Sequence, residues 1–228
     1  MRPARPAPVK VWDLPTRLFH WSLLALVLLA WRTAETRDLS VHRIAGSCVA
    51  GLLTFRIWWG FFGSSTARFA NFLKGPRTVL SYAKGLFTKK PEALPGHNPM
   101  GGWSVAALIV CLIAQVVAGL FSTDTDGLDS GPFANLVSYD QGRLASHIHA
   151  FAFDALEALV CLHLAALAFY HVYKRQNLIG AMISGRMRSQ ETSFRPGHWA
   201  SLLFGVALGG VVAIGLIWLS GDFSGPSF

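Results

Sequence analysis

The chain is short of charge. Only 14% of its 228 residues are Asp, Glu, Lys or Arg, against about 25% in an ordinary soluble domain. That scarcity argues against a soluble globule. Cysteine is scarce as well. Cys48, Cys111 and Cys161 each lie inside an apolar run, and neither CxxC nor CxxCH occurs. A disulfide framework, a thiolate zinc site and a covalently attached c-type haem are thereby excluded. Buried free cysteines of this kind behave as small hydrophobes. Acidic residues number 12 against 20 basic ones, for a net charge of +8. A basic excess can mark nucleic-acid binding. Here membrane topology explains it, and no nucleic-acid partner is expected. The first apolar run is followed by WRTAETRD, which lacks a small-residue cleavage site, so that run reads as a retained span and not a signal peptide. Internal repeats and low-complexity segments are absent too.

What the chain does have is apolar sequence, 52% of it, gathered into long runs. Sixteen Phe and eight Trp suit lipid-facing and interfacial surfaces. Five runs reach the roughly 17–25 residues that a spanning helix needs: about Thr16 to Thr33, Val41 to Phe62, Gly101 to Phe121, Leu144 to Tyr173 and His198 to Ser220. None alternates as a barrel strand does, and in lipid only helices or closed barrels satisfy the backbone. The expected fold is therefore an all-α membrane protein. The loops orient it. Arg2, Arg5, Lys10 and Arg17 precede or open the first span. Arg68, Lys74, Arg77, Lys84, Lys89 and Lys90 lie between the second and third. Lys174, Arg175, Arg186, Arg188 and Arg195 follow the fourth. The loop from Ser122 to Ser146 instead carries Asp124, Asp126, Asp129 and Asp140. The positive-inside rule puts the N-terminus in the cytoplasm and the C-terminus outside. Pro76–Phe87 and Asn177–Met187 mix basic and apolar residues. They read either as interfacial helices or as plain connectors.

Histidine placement carries the functional signal, because ionisable residues inside a span are costly and usually functional. His20 lies near the inner start of the first span and His42 at the outer start of the second. His147, His149, His163 and His171 lie on the fourth, while His97 and His198 precede the third and fifth. At about 100° and 1.5 Å per residue, His149 and His163 differ by only about 40° in azimuth and lie about 21 Å apart. They can present two imidazoles from one face at two depths. His147 points nearly opposite to His163. His171 lies about 33 Å from His149, farther than the hydrocarbon core is thick. Matching depths pairs His42 with His149 and His20 with His163. Each pair can clamp one haem iron from both sides, which suits electron transfer over oxygen chemistry. Arg17 and Arg43 stand beside the first two histidines, where a guanidinium can pair with haem propionates. Gly46, four residues after His42, allows a close approach to a porphyrin; the alternative is helix packing through Gly46 and Ala50. Metal transport would instead cluster histidines and carboxylates at one depth.

At these residues the chain resembles the bacterial cytochrome b561 family, which includes the cytochrome b subunits of nickel–iron hydrogenases. The resemblance is carried by VWDLPTRLFHW (11–21), VHRIAG (41–46), FRIWWGFFG (55–63), ARFANFLKGPRTVLSY (67–82), GHNPMGGW (96–103), the spacing of His149 and His163, and NLIGAMISGR (177–186). It implies a four-helix transmembrane bundle binding two b haems non-covalently, with one ligand from the first helix, one from the second and two from the fourth. His20, His42, His149 and His163 match that pattern. The haem domain is expected over residues 10–188, with an additional helix at 198–220 that the family pattern lacks. This fifth span reads as an anchor or packing surface, or else as a dock for a partner. Asp154 and Glu157 within the fourth span are a second departure, read as a proton relay or as hydrated residues near the outer end.

The resemblance also implies an electron-transfer subunit with quinone oxidoreductase activity in a bacterial inner-membrane respiratory chain. It would exchange electrons between a quinone substrate and a redox partner, a periplasmic cytochrome c or a hydrogenase. His97 and His171 are candidates for hydrogen-bonding the quinone. A superoxide:quinone oxidoreductase is the alternative. It would favour a basic funnel toward the outer haem, and the outer loop is acidic.

Overall fold

In a computed structural model the chain is described over residues 8–88, 96–125, 129–188 and 194–221. Strand β1 (Pro8–Lys10) leads into helices α1 (Leu14–Glu35), α2 (Leu39–Phe62), α3 (Phe69–Phe72), α4 (Pro76–Lys84) and α5 (Pro99–Phe121). A short 3₁₀ turn (Ala134–Leu136), α6 (Tyr139–Val172), α7 (Leu178–Ser184), β2 (Arg186–Arg188) and α8 (Trp199–Leu219) follow. Helices α1, α2, α5, α6 and α8 are long and apolar enough to cross a membrane. Each coincides with an expected span. The two amphipathic segments also contain helices, α4 and α7, shorter than the ranges read from sequence. Asn177 caps α7 by accepting the Gly180 N–H at 2.7 Å. Lys89, Lys90 and Asp126 lie outside the described residues.

The chain divides into two compact units whose boundaries fall within the long helices. The first comprises Met1–Leu18, Ile57–Ala107 and Leu159–Leu203. In it β1 and β2 pair antiparallel, Pro8 opposite Arg188 and Lys10 opposite Arg186. The ladder continues as Val11 and Trp12 both donate to the Gly185 carbonyl, at 2.8 and 3.1 Å. Gly185 sits at φ +76°, and a Cβ there would come within 2.7 Å of the Trp12 carbonyl. No L side chain is accommodated easily at that turn. Val11, Trp12 and Ala181 form the core behind it. Asp13 then starts α1. Its Oδ1 accepts the Thr16 N–H at 2.9 Å, an N-cap bond, and its Oδ2 accepts the buried Trp59 indole N–H at 2.9 Å. Asp13→Ala is expected to lower stability by about 1 kcal/mol for the cap, with a further cost of about 1–3 kcal/mol for the stranded indole. Thermal unfolding in detergent, followed by circular dichroism, measures this.

The second unit comprises Phe19–Arg56, Leu108–Ala158 and Phe204–Phe228. Val49, Leu53, Leu112 and Leu156 form its core, from α2, α5 and α6, and Leu23, Leu26 and Val27 of α1 pack against it. The segment after α5 folds back through a bridge between Thr123 and Ser130. Ser146 of α6 receives the Thr123 N–H at 3.1 Å and donates to the Thr123 carbonyl at 2.7 Å. Within this unit α8 packs on α2 backbone to backbone. A Cβ on Gly51 would lie 2.5 Å from the Gly209 carbonyl, and one on Gly209 would lie 2.6 Å from that of Gly51. Contacts this close are what small residues permit between membrane helices. The fifth span is therefore a packed member of the unit. A bulky residue at position 209 is expected to peel α8 from α2, exposing that helix to protease after Gly209→Leu but not in the parent protein.

Candidate cofactor site

The second unit contains a cavity of about 260 Å³. Its walls are apolar and include Val27 and Trp31 of α1, Val116 and Leu120 of α5, and Phe153 of α6. Two histidines enter it. His42 comes from the first turn of α2, which Asp38 starts by accepting the Val41 N–H at 3.3 Å. His149 comes from α6. Their ring centroids are 6.0 Å apart.

Hydrogen bonds fix which ring nitrogens face the cavity chemistry. His42 Nδ1 meets the Ala30 carbonyl at 2.8 Å, and His149 Nδ1 meets the Gln115 carbonyl at 2.8 Å. A carbonyl only accepts, so each Nδ1 carries the proton and each Nε2 keeps a lone pair. This is the arrangement in which a histidine serves as a metal ligand, its other N–H held by a carbonyl. The separation fits as well. Metal–imidazole bonds of about 2.0–2.1 Å put an ion gripped from both sides between centroids roughly 6–6.5 Å apart.

The neighbours sharpen the fit. A Cβ on Gly46 would meet nothing within 4 Å, so the cavity continues over that position. At Gly119 the reverse holds, since a Cβ would lie 2.9 Å from His149 Cε1. Gly119 is the residue that lets the imidazole pass α5. The Gln115 side chain lies with its Nε2 3.2 Å from His149 Nε2. The ring nitrogen is the acceptor there and has a single lone pair, so the donating amide must turn aside for a metal to bind; the Gln115 Oε1 is buried without a hydrogen-bond partner. Arg43 at the cavity wall forms an ion pair with Asp129 at 3.3 Å. The architecture and donor set suit a planar, largely apolar group with a central metal.

Comparison with known families points the same way. The model of the prokaryotic cytochrome b561 family matches residues 11–185. The chain belongs to this family. Membership in the cytochrome b561 family implies transmembrane electron transfer with b-type haem, in a multi-pass helical membrane protein. Neither the curated proteins nor the solved structures offer a match to the chain.

The remaining cytochrome b561 candidates are distributed as follows. His20 belongs to the second unit, where its ring meets that of Trp21 edge-on at 5.0 Å. His163 belongs to the first unit and is half-buried. Arg17, also in the first unit, donates through a terminal nitrogen to the Ile183 carbonyl near the end of α7, while its buried Nε has no hydrogen-bond partner. His97 packs between Trp12 and Phe72, with centroids at 4.6 and 4.7 Å. His147 and His171 are exposed. Gln115 and Gly119 escape the sequence reading. Their signal is available in hindsight, because Gln115 is the one amide side chain in α5.

Proposed function

We propose that this cytochrome b561 family member carries electrons across the bacterial inner membrane through two b haems, between a quinone and a partner redox protein. The observation that carries the proposal is the facing pair His42 and His149, each with Nδ1 held by a backbone carbonyl. In this reading they ligate one haem. His20 and His163 ligate the second, a pairing that stands on helical spacing. Arg43 and Arg17 serve the propionates, Arg17 through its unpartnered buried Nε–H, and Gly46 lies against one porphyrin. The haem-binding part spans residues 10–188 with α8 as an addition. The N-terminus is cytoplasmic and the C-terminus periplasmic, as the charge of the loops argues.

Bound haem iron takes up and returns one electron at a time. The chain's own residues set the conditions for that. The Ala30 and Gln115 carbonyls hold the imidazoles in one tautomer and one orientation. With His42 and His149 both holding the iron, the site would favour electron transfer over reaction with oxygen. The apolar walls keep water from the metal and so shape its potential. A periplasmic cytochrome c or a hydrogenase is the partner class, and quinone the membrane-side substrate.

Purified protein tests the reading by pyridine haemochrome assay, with two b haems per chain expected and none sinking it. Gln115→Leu is a finer check. The backbone carbonyl that orients His149 survives this change, so the haem count should stay at two. The environment of the His149 iron should shift, with haem affinity falling by at most about tenfold, the mild end for residues around a metal ligand. Haem titration of the apoprotein reads it out, and loss of the haem altogether would mean that the amide itself is essential.

A further inference from the structure

Residues 74–88, with α4 at their centre, take no part in the cofactor cavity. They form a strap within the first unit, fastened at both ends. The Lys74 carbonyl accepts the Trp103 indole N–H at 2.8 Å, near the start of α5. Tyr82 and Tyr170 share a hydrogen bond between their hydroxyls at 2.9 Å, and Tyr173 donates to the Phe87 carbonyl at 2.6 Å, both at the end of α6. A half-exposed Trp at the end of a spanning helix marks the membrane–water boundary. The strap therefore starts at that boundary.

Helix α4 has two faces. Val79, Tyr82 and Ala83 are partly covered, whereas Arg77, Leu80, Ser81 and Lys84 are exposed. Arg77 and Lys84 lie within about 20° in azimuth, with Leu80 about 60° and Tyr82 about 140° from Arg77. Leu80 is 60% exposed, and Phe87 just beyond the helix is 71% exposed. Basic and apolar side chains sharing one exposed face suit a helix at a membrane interface. The positive charge is unanswered within the chain. Neither Asp nor Glu occurs between Asp38 and Glu92, and Lys74, Arg77 and Lys84 make no ion pair among the described residues. Arg77 stands in the first turn of α4, which has no acidic residue and no side-chain cap from Gly75. The helix dipole already presents positive charge there, so a cation is unfavourable unless an anion covers it. A phospholipid with a net negative headgroup answers both features, its phosphate meeting the cations and its acyl chains meeting Leu80 and Phe87. We propose that the exposed face of α4 binds an anionic phospholipid.

The test uses the full chain as purified, in detergent carrying equal amounts of phosphatidylglycerol and phosphatidylcholine, with retained lipids counted by native mass spectrometry. The parent protein should retain phosphatidylglycerol about twentyfold over phosphatidylcholine, since each of two cations near an anionic surface contributes about fivefold. Arg77→Gln/Lys84→Gln should bring the two lipids near parity with helicity and visible absorbance unchanged, and the charge-conserving Arg77→Lys/Lys84→Arg should keep the preference. Arg186→Gln/Arg195→Gln, which removes as much charge elsewhere, should keep it too. Neither excess polyglutamate nor inorganic phosphate should displace the lipid. Equal retention of the two lipids by the parent protein would overturn the proposal. So would a preference that survives Arg77→Gln/Lys84→Gln, or one lost as fully in Arg186→Gln/Arg195→Gln, which would reduce it to net charge. Displacement by polyglutamate would make the occupant an acidic protein segment, and displacement by phosphate would make it a free anion; either would overturn the lipid assignment. None of these outcomes depends on the haem ligands.

Discussion

His149→Ala should take the protein from two haems per chain to one, and His163→Ala should do the same by removing the other haem. The two variants should differ in their remaining absorbance spectra and midpoint potentials, because each keeps a different site. The expectation for His149 rests on a specific geometry. Its ring stands 6.0 Å from that of His42, centroid to centroid, and its Nδ1 is tied to the Gln115 carbonyl. On the proposed ligation, removing one imidazole would leave His42 as a single ligand, with the apolar walls intact but no second bond to hold the metal. His42→Ala should therefore reproduce the His149→Ala spectrum, since both changes empty the same site. The His163 expectation rests on spacing along α6, and His20→Ala should match it in the same way. Quinol-driven reduction of an external acceptor should fall to background in all four variants, because a wire missing either haem does not span the membrane. If His42→Ala and His149→Ala gave different residual spectra, the pairing would be wrong even though the histidines were ligands. If His147→Ala rather than His149→Ala removed a haem, the choice between the two residues would be reversed.

The five spans are legible in the sequence because each is a continuous apolar run long enough for the bilayer, and such runs need no tertiary information. Their ends are less so. Helix α6 begins at Tyr139, five residues before the apolar run, because Ser138 and Gln141 bond across its first turn. The β1–β2 ladder is illegible for another reason. Two strands of three residues, separated by most of the chain, have no alternation to read, and the pairing depends on the Gly185 turn. Helical azimuth separates His149 from His147, and α6 is helical through that stretch. What azimuth cannot show is the partner across the helix interface. The Gln115 carbonyl and the absent side chain at Gly119 act on His149 from α5, and neither leaves a periodic trace. Arg43 illustrates the same limit. Its basic charge is visible in the sequence, but its ion pair with Asp129 joins residues 86 apart.

Gly46 and Gly119 make a contrasting pair that tests the cavity itself. At Gly46 an added Cβ would meet nothing within 4 Å, so the side chain of Gly46→Leu starts out into the open cavity. The variant should fold normally, with unchanged helicity and unfolding midpoint, yet lose one haem because the leucine occupies the space the porphyrin needs. At Gly119 the first added carbon already lies 2.9 Å from His149 Cε1 and 3.0 Å from its Nδ1. Gly119→Val must therefore push the imidazole away from α5, breaking its bond to the Gln115 carbonyl and its alignment with His42. That variant should also lose one haem, by displacing the ligand instead of filling the pocket. The two mechanisms separate under an external ligand. Imidazole added to Gly119→Val supplies a mobile replacement for the displaced ring and should restore part of the haem binding, whereas in Gly46→Leu the space itself is gone and imidazole should restore nothing. If Gly46→Leu retained both haems at full affinity, the cavity between His42 and His149 would not be where the porphyrin sits.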